Sequence, residues 1–426
     1  MSQQLLSRPP LVTAGIALAG AGVLTAAPVT PAVPDIEIPD IQLTALDDFD
    51  PISQLGSFFD LTSVNASQLI NNFGLAPGVG LQQAIVNQFG FLGDILNDPA
   101  SIGDVLGQLG TNVENVLTGT FLLGASDATA ESVVFHTLSP SNLVDLLTGT
   151  AGHDLLYSAM TGALDPIFPA PDEPLPTLIN LLSSPASGVL IGTAGPFISP
   201  IVPFLNPFMG LLSETMTPAD AFEALLSAPL DSINGFFNGE TLNLAPLIPL
   251  VGQLGLFPEG VEMTGLDFAF GGLLTPGVVG AGPWGEVAVP AAGGSILNGL
   301  GLDLTGLPPI VEGLTDLHVE GAGVGPIGAL QGMSQTIAAL LGASTWDGKG
   351  ANAAIPPLAG LELPSLGDLF NFDSAMPAGL LSSLNLGDFS LLPTDLLSNL
   401  GGLGGDFGLL TLPQMLIEAL LGAVGF

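Results

Sequence analysis

The chain contains no cysteine, and its only basic residues, Arg8 and Lys349, stand against 39 Asp and Glu in 426 positions. Without cysteine there are no disulfides, thiolate nucleophiles, Cys-ligated zinc sites or iron–sulfur clusters, so the fold is held by packing alone. Without Lys and Arg nothing displaces counterions from phosphates, which excludes nucleic acid as a partner. Polybasic clusters that grip anionic lipid are missing for the same reason, so any membrane contact must be apolar. Aromatic platforms of the kind sugar-binding sites use are scarce, with two Trp and one Tyr. Abundant instead are 58 Gly and 37 Pro, in a chain that is 47% hydrophobic and carries a formal charge of −37. That hydrophobicity argues against disorder, and the absence of a triplet glycine period argues against collagen. The length suits two or three domains with a sizeable core.

The first 32 residues read as a secretory signal peptide. Arg8 precedes the uncharged run Leu11 to Leu24, which is followed by Thr25-Ala26-Ala27-Pro28. This is the order basic, apolar, small that a signal sequence requires, and the run is shorter than the roughly 20 residues that cross a bilayer. Cleavage is expected after Ala27 or Ala32, the later site being favoured because Pro28 follows the earlier one. The exported chain then sets 39 acids against Lys349 alone, a charge of −38. Residues 33–49 form an acidic, Pro-rich linker. The cluster Asp47, Asp48, Asp50 lacks the glycine and distal Glu of an EF-hand and reads as solvated charge.

From residue 50 to 240 a helix-start signal recurs: Asp50-Pro51, Asp98-Pro99, Ser139-Pro140, Asp165-Pro166 and Thr217-Pro218. Each is an N-cap followed by proline at the first helical position, and Thr217 also has an acid, Asp220, three residues on. Short helices are expected. The strings 112–120 and 142–150 share a pattern that predicts helical hairpins ending at Gly119 and Gly149 as C-caps. Pro174 to Ser213 holds no charged residue, and two readings stand for it: a buried loop-and-helix core, or contact with lipid. Prolines at 185, 196, 200, 203 and 207 argue against a simple pair of spanning helices, because unpaired backbone is costly in hydrocarbon. Residues 241–345 read as a mixed α+β module, with strands at Gly265–Phe270, Glu286–Val289 and Leu317–Glu320 and a helix at Ile327–Leu341. Residues 346–426 form a Gly/Leu-rich C-terminal region ending in a short helix. The fold class expected is α+β, mainly short α-helices with a smaller β-containing module; the alternative is an oligomeric membrane β-barrel.

Chemistry-bearing motifs are few. There is no G-x-S-x-G elbow, and His136, His153 and His318 lack the i, i+4 spacing of a zinc helix, so each is expected to be hydrogen-bonded or exposed. Gly323-Val-Gly-Pro-Ile-Gly328 matches the dinucleotide-binding spacing, with Asp347 nineteen residues beyond. Pro326 inside the turn and the lack of βαβ units make it a plain glycine turn. No catalytic, cofactor-binding or metal-binding residue is assigned, and no enzymatic activity is expected.

Several strings resemble the outer-membrane porin family of mycolic-acid-bearing actinobacteria, the GjpA type. They are Pro10 to Gly20, Pro39 to Asp48, Asn234-Gly-Phe-Phe-Asn-Gly-Glu-Thr-Leu-Asn-Leu244, Phe268-Ala-Phe-Gly-Gly-Leu-Leu-Thr-Pro276 and Gly293-Gly-Ser-Ile-Leu-Asn-Gly-Leu-Gly301. The resemblance implies an exported, channel-forming protein of the cell envelope, in an outer membrane or at the cell surface. The partners implied are outer-membrane lipid, small cations and hydrophilic solutes, and further copies of the chain as a homo-oligomer. An acid-lined path prefers cations, and the candidate lining residues are Glu259, Glu262, Asp267, Glu286 and Asp303. A barrel needs eight or more alternating segments and this chain shows four or five short ones, which leaves a non-enzymatic structural protein of the envelope as the alternative.

Overall fold

The computed structural model describes residues 51–343, apart from 76, 143–144, 147, 163–173, 254–259, 285–286 and 308–314, together with 357–358. The signal peptide, the linker, Asp165-Pro166 and the C-terminal region lie outside these residues. The first half is helical, with α1 (Pro51–Leu75), α2 (Val79–Asn97), α3 (Ile102–Phe121) and α4 (Asp127–Val134). A two-residue strand, β1 (Thr150–Ala151), then leads into α5 (His153–Met160) and α6 (Leu175–Leu182). Next come α7 (Pro185–Ile198), a 3-10 turn at Ser199–Ile201, α8 (Val202–Leu212) and α9 (Pro218–Asn238). After β2 (Glu240–Asn243) and α10 (Ile248–Gly252) follow the strands β3 (Glu262–Phe270), β4 (Val279–Trp284), β5 (Val287–Ala291), β6 (Leu300–Thr305) and β7 (Leu317–Val319). The helix α11 (Pro326–Leu340) completes the described fold.

The architecture is α+β, as expected, but several helices are long: α1 has 25 residues, α3 has 20 and α9 has 21. Start signals were legible where the cap is local. Thr217 and Asp220 form a reciprocal capping box at α9. Asp98 accepts from the Ala100 amide at a 3-10 turn beginning at Pro99. Ser139-Pro140 starts no helix, because the Ser139 amide is taken by Asn298 and its hydroxyl by His153. The two similar strings part company. Gly119 lies inside α3, where a Cβ would strike Leu340, and α3 is instead ended by Leu122 at φ 53°. Gly149, at φ 85°, ends a helical turn and leads into β1.

Five strands make an open mixed sheet in the order β1-β7-β6-β3-β2, parallel only between β1 and β7. It is not closed into a barrel, which corrects the barrel alternative for this sheet. Strands β4 and β5 form a separate hairpin. The inner face of the sheet, Leu242, Leu266, Leu302, Leu304 and Val319, packs with Leu156 of α5, Ile179 of α6 and Val202 of α8 into one apolar cluster. Asn206 protects the β2 edge: its Nδ2 donates to the Thr241 carbonyl (2.8 Å) and its Oδ1 accepts from the Asn243 amide (2.9 Å), in place of another strand.

The helices reach the sheet through close backbone contact at glycine. A Cβ on Gly188 of α7 would land on the Gly294 carbonyl, and one on Gly195 on the Gly271 carbonyl. Where G-x-G-x-x-G occurs, Gly325 caps α11 and donates to the Thr275 carbonyl, while Gly328 lies against Pro276. The backbone of 271–276 therefore fills the space a pyrophosphate would need, in keeping with a plain turn. Asn298 is the polar hub of the same region. Fully buried, it accepts from the Ser139 amide (2.7 Å) and donates to the carbonyls of Val278 (3.1 Å) and Ala322 (3.2 Å).

Truncating such a residue strands buried partners that each cost about 1–3 kcal/mol. Asn298→Ala is therefore expected to lower unfolding free energy by about 3 kcal/mol, measured by urea denaturation, whereas exposed Thr111→Ala stays within about 0.5 kcal/mol of the parent.

Candidate functional surfaces

The outer face of the sheet is polar. Along it, Asp267 of β3 stands opposite Asn243 and Gly301, and Asp303 of β6 stands opposite Gly265 and His318. Carboxylate thus alternates with glycine, and the glycines give the acids room to lie flat across the next strand. A Cβ on Gly301 would fall on the Asp267 carboxylate, and one on Gly265 on that of Asp303. His318 Nδ1 meets Asp303 Oδ1 at 2.5 Å in a pair whose side chains are each about half exposed, 51% and 50%. Partial burial raises the pKa of Asp267, and the charges of Asp303 and Glu320 raise it further, with His318 opposing.

Two of the five sequence-derived acids, Asp267 and Asp303, therefore come together. Glu262 sits at the start of β3 opposite Thr305, away from that pair, and Glu259 and Glu286 lie outside the described residues. His318 and Glu320, on the expected strand Leu317–Glu320 but not among the candidate lining residues, complete the face. The signal that finds them is the register, which puts His318 beside Asp303 and is invisible in a single strand. Among the described residues, no group of His, Asp and Glu is arranged to hold a metal ion.

A second acidic pair forms where α9 meets β2. Burial, then the charge of Asp231, lifts Glu240 to about 7 against its ordinary 4.5. Asp231 itself accepts from Ser227 Oγ at 2.6 Å and lines a cleft of about 250 Å3 between α1 and α9, walled by Phe58, Leu61, Leu230 and Ile233.

His153 and Ser139 have the contact of a nucleophile and its base, at 2.8 Å from Ser139 Oγ to Nδ1. Nε2 lies 2.7 Å from the Leu300 carbonyl and donates to it, so Nδ1 accepts the serine proton. The ring is fully buried, and desolvation lowers its pKa, which keeps it neutral. Ser139 Oγ also accepts the His153 amide at 3.1 Å. The pair thereby ties the 139–141 segment to the start of α5 and to β6, the role of a cap.

A further surface feature is apolar. Over the uncharged run from α7 through α8, the exposed large side chains are Leu190, Phe197, Ile201, Phe204, Leu205, Phe208, Leu211 and Leu212. At 100° per residue these positions fall within about 60° of one line. The opposite line is buried and small: Gly188, Gly192, Gly195, Pro196, Ser199, Pro203, Pro207 and Gly210. One face of this segment therefore belongs to the core, as the first of the two readings expected, and the other is exposed. No family model, curated protein or solved structure matches the chain.

A carboxyl whose folded pKa is raised is destabilising when ionised, so stability rises as pH falls through the folded value and levels off below the unfolded one. For Glu240 that window runs from about 7 down to 4.5. Glu240→Gln is expected to raise the melting temperature at pH 8 by a few degrees and to flatten its pH dependence between pH 5 and 8, followed by circular dichroism.

Proposed function

We propose that this is an exported cell-envelope protein that attaches to lipid through the outward face of α7–α8. The observation that carries the reading is the apolar stripe. Eight large side chains, from 36% exposed at Leu205 to 72% at Phe197, lie on one line of a segment without a single charge. Immersing them is worth roughly 1 kcal/mol each, or about 8 kcal/mol gross, since each is already partly covered. Monomers seldom leave a patch of that kind facing water.

The prolines support lipid contact rather than opposing it. Positions 196, 203 and 207 recur on the inner line, and the carbonyl that each of these prolines releases belongs to the residue four earlier on the same line, while half-buried Pro200 lies in the 3-10 turn between the two helices. The unpaired backbone therefore faces protein, and the lipid-facing side keeps its hydrogen bonds, which is the condition hydrocarbon imposes. The signal-like start supports export, and the porin resemblance agrees with an envelope location.

A second reading, a passive cation-preferring channel for ions and small hydrophilic solutes, is favoured by the convergence of Asp267 and Asp303 on an open sheet face. In that reading several copies assemble with these faces toward a common path, since rings of carboxylates select cations. One sheet of this size encloses nothing by itself.

The two readings separate experimentally. Chain lacking residues 1–32 is expected to float with phosphatidylcholine vesicles, and Phe197→Asp/Phe208→Asp is expected to lose at least tenfold in partitioning while keeping its circular dichroism spectrum. Recovery of the parent protein wholly in the unbound fraction contradicts lipid attachment. In planar bilayers the channel reading requires conductance above a mock purification, with a cation-selective reversal potential that Asp267→Asn/Asp303→Asn reduces. Attachment without conductance leaves the structural role.

A further inference from the structure

We infer that α7–α8 lies flat in one leaflet, as an in-plane anchor selective for uncharged lipid, and does not cross the bilayer. This deepens the attachment proposed above and rests on it. By length and composition alone the opposite choice is open: Pro185–Leu212 is 28 residues long and contains an 18-residue stretch of mean hydropathy 1.6, enough to span. Three observations decide against spanning.

The first is the lock on the inner face. Gly188 and Gly195 abut the carbonyls of Gly294 and Gly271, and a Cβ on Gly192 would stand 2.9 Å from the Gly325 carbonyl. Gly271 and Gly294 belong to the segments that flank the sheet and Gly325 caps α11, so α7 cannot leave the body without opening its centre. If the segment spans, the body must enter the bilayer with it.

The second is what the body would bring along. Helix α9 packs along α8 and also contacts α7. It carries Asp220, Glu223 and Asp231, and Glu214 stands in the connection between α8 and α9. A pose with α7–α8 along the bilayer normal draws these carboxylates to hydrocarbon depth, with no lysine or arginine among the described residues to pair with them. Lying flat, the segment immerses its stripe and leaves the acids at the aqueous level. Exposed Phe222, Leu226 and Ile233, at i, i+4 and i+11 of α9, line one face of that helix.

The third is charge, which names the lipid and excludes the other occupants. In-plane helices commonly carry Lys and Arg that hold anionic headgroups, but residues 174–213 carry none and the rest of the chain is acidic. An anionic surface repels this protein. A second copy brings the same large negative charge to the interface, whereas a zwitterionic or neutral lipid layer adds no repulsion.

The absence of native cysteine makes the test direct. Single cysteines at Leu190, Phe197, Ile201, Phe204, Phe208 and Leu212, with water controls at Thr111 and Asp316, are labelled with an environment-sensitive nitrobenzoxadiazole dye in chain lacking residues 1–32. Phosphatidylcholine vesicles are expected to raise emission several-fold at all six stripe positions and at neither control. Quenching by nitroxide lipids of graded depth is expected to give one shallow depth throughout, with every label reduced by external dithionite. Adding anionic phosphatidylglycerol is expected to weaken binding several-fold at low salt. A depth that sweeps from Leu190 to Leu212, with one end protected from dithionite, overturns the in-plane anchor and leaves attachment standing. A preference for anionic vesicles overturns the lipid selectivity. Failure to bind any vesicle overturns attachment itself, and a rise in emission on concentrating the protein without lipid assigns the stripe to a second copy.

Discussion

Close approach of backbone to backbone is the constraint on which the rest depends. The segments 271–277 and 293–299 are met by α7 and by the start of α11 at distances that admit no side chain at Gly188, Gly195 or Gly325. In a chain without cysteine, and with His318–Asp303 the one ion pair among the described residues, this contact and the Asn298 hydrogen bonds supply the specificity that covalent or charged links supply elsewhere. It also dictates orientation. With the small face of α7–α8 committed to the centre, its leucines and phenylalanines have only the outside to face.

The acids follow a complementary rule. With so little positive charge to pair with, they spread out and keep to water or to caps, as Asp220 does at the start of α9. Where two must share a site, as Glu240 with Asp231 or Asp267 with Asp303, burial and like charge raise a pKa. His318 offsets part of that at the sheet face. Among the described residues the α7–α8 stripe carries no charge and the acids stand on other elements, an arrangement that fits a boundary between uncharged lipid and water.

Local features of the fold were legible from sequence, and tertiary ones were not. Thr217-Pro218 and Asp220 announce a helix start because the cap lies within four residues; the strand at 265–270 and the helix at 327–341 follow from period alone. Ser139-Pro140 carries the same local signal and fails, since Asn298 and His153 compete for Ser139 from far along the chain. The strings at 112–120 and 142–150 look alike, yet Gly119 lies inside a long helix packed on Leu340 while Gly149, at positive φ, ends a helical turn before β1. The apolar outer stripe was hidden for a different reason. Both faces of α7–α8 are apolar, so hydropathy does not alternate; side-chain size does, with Gly and Pro inward and Leu and Phe outward. Of the candidate pore acids, Asp267 lay on a strand expected from alternation and Asp303 did not, and only the register between β3, β6 and β7 joins them to His318. The strings at 234–244, 268–276 and 293–301 that resemble a porin family supply Asn238, Gly271, Gly294 and Asn298, residues of the structural centre. That resemblance therefore speaks to fold more than to conduction.

The central claim is that an apolar, uncharged face seats a strongly acidic protein on neutral lipid. Its most direct test is the salt dependence of partitioning into phosphatidylcholine vesicles. Apolar seating predicts affinity that holds or strengthens as salt rises, because screening relieves repulsion among bound copies and leaves the buried area unchanged. Affinity that falls steeply with salt would mean that charge does the holding, and would contradict the account.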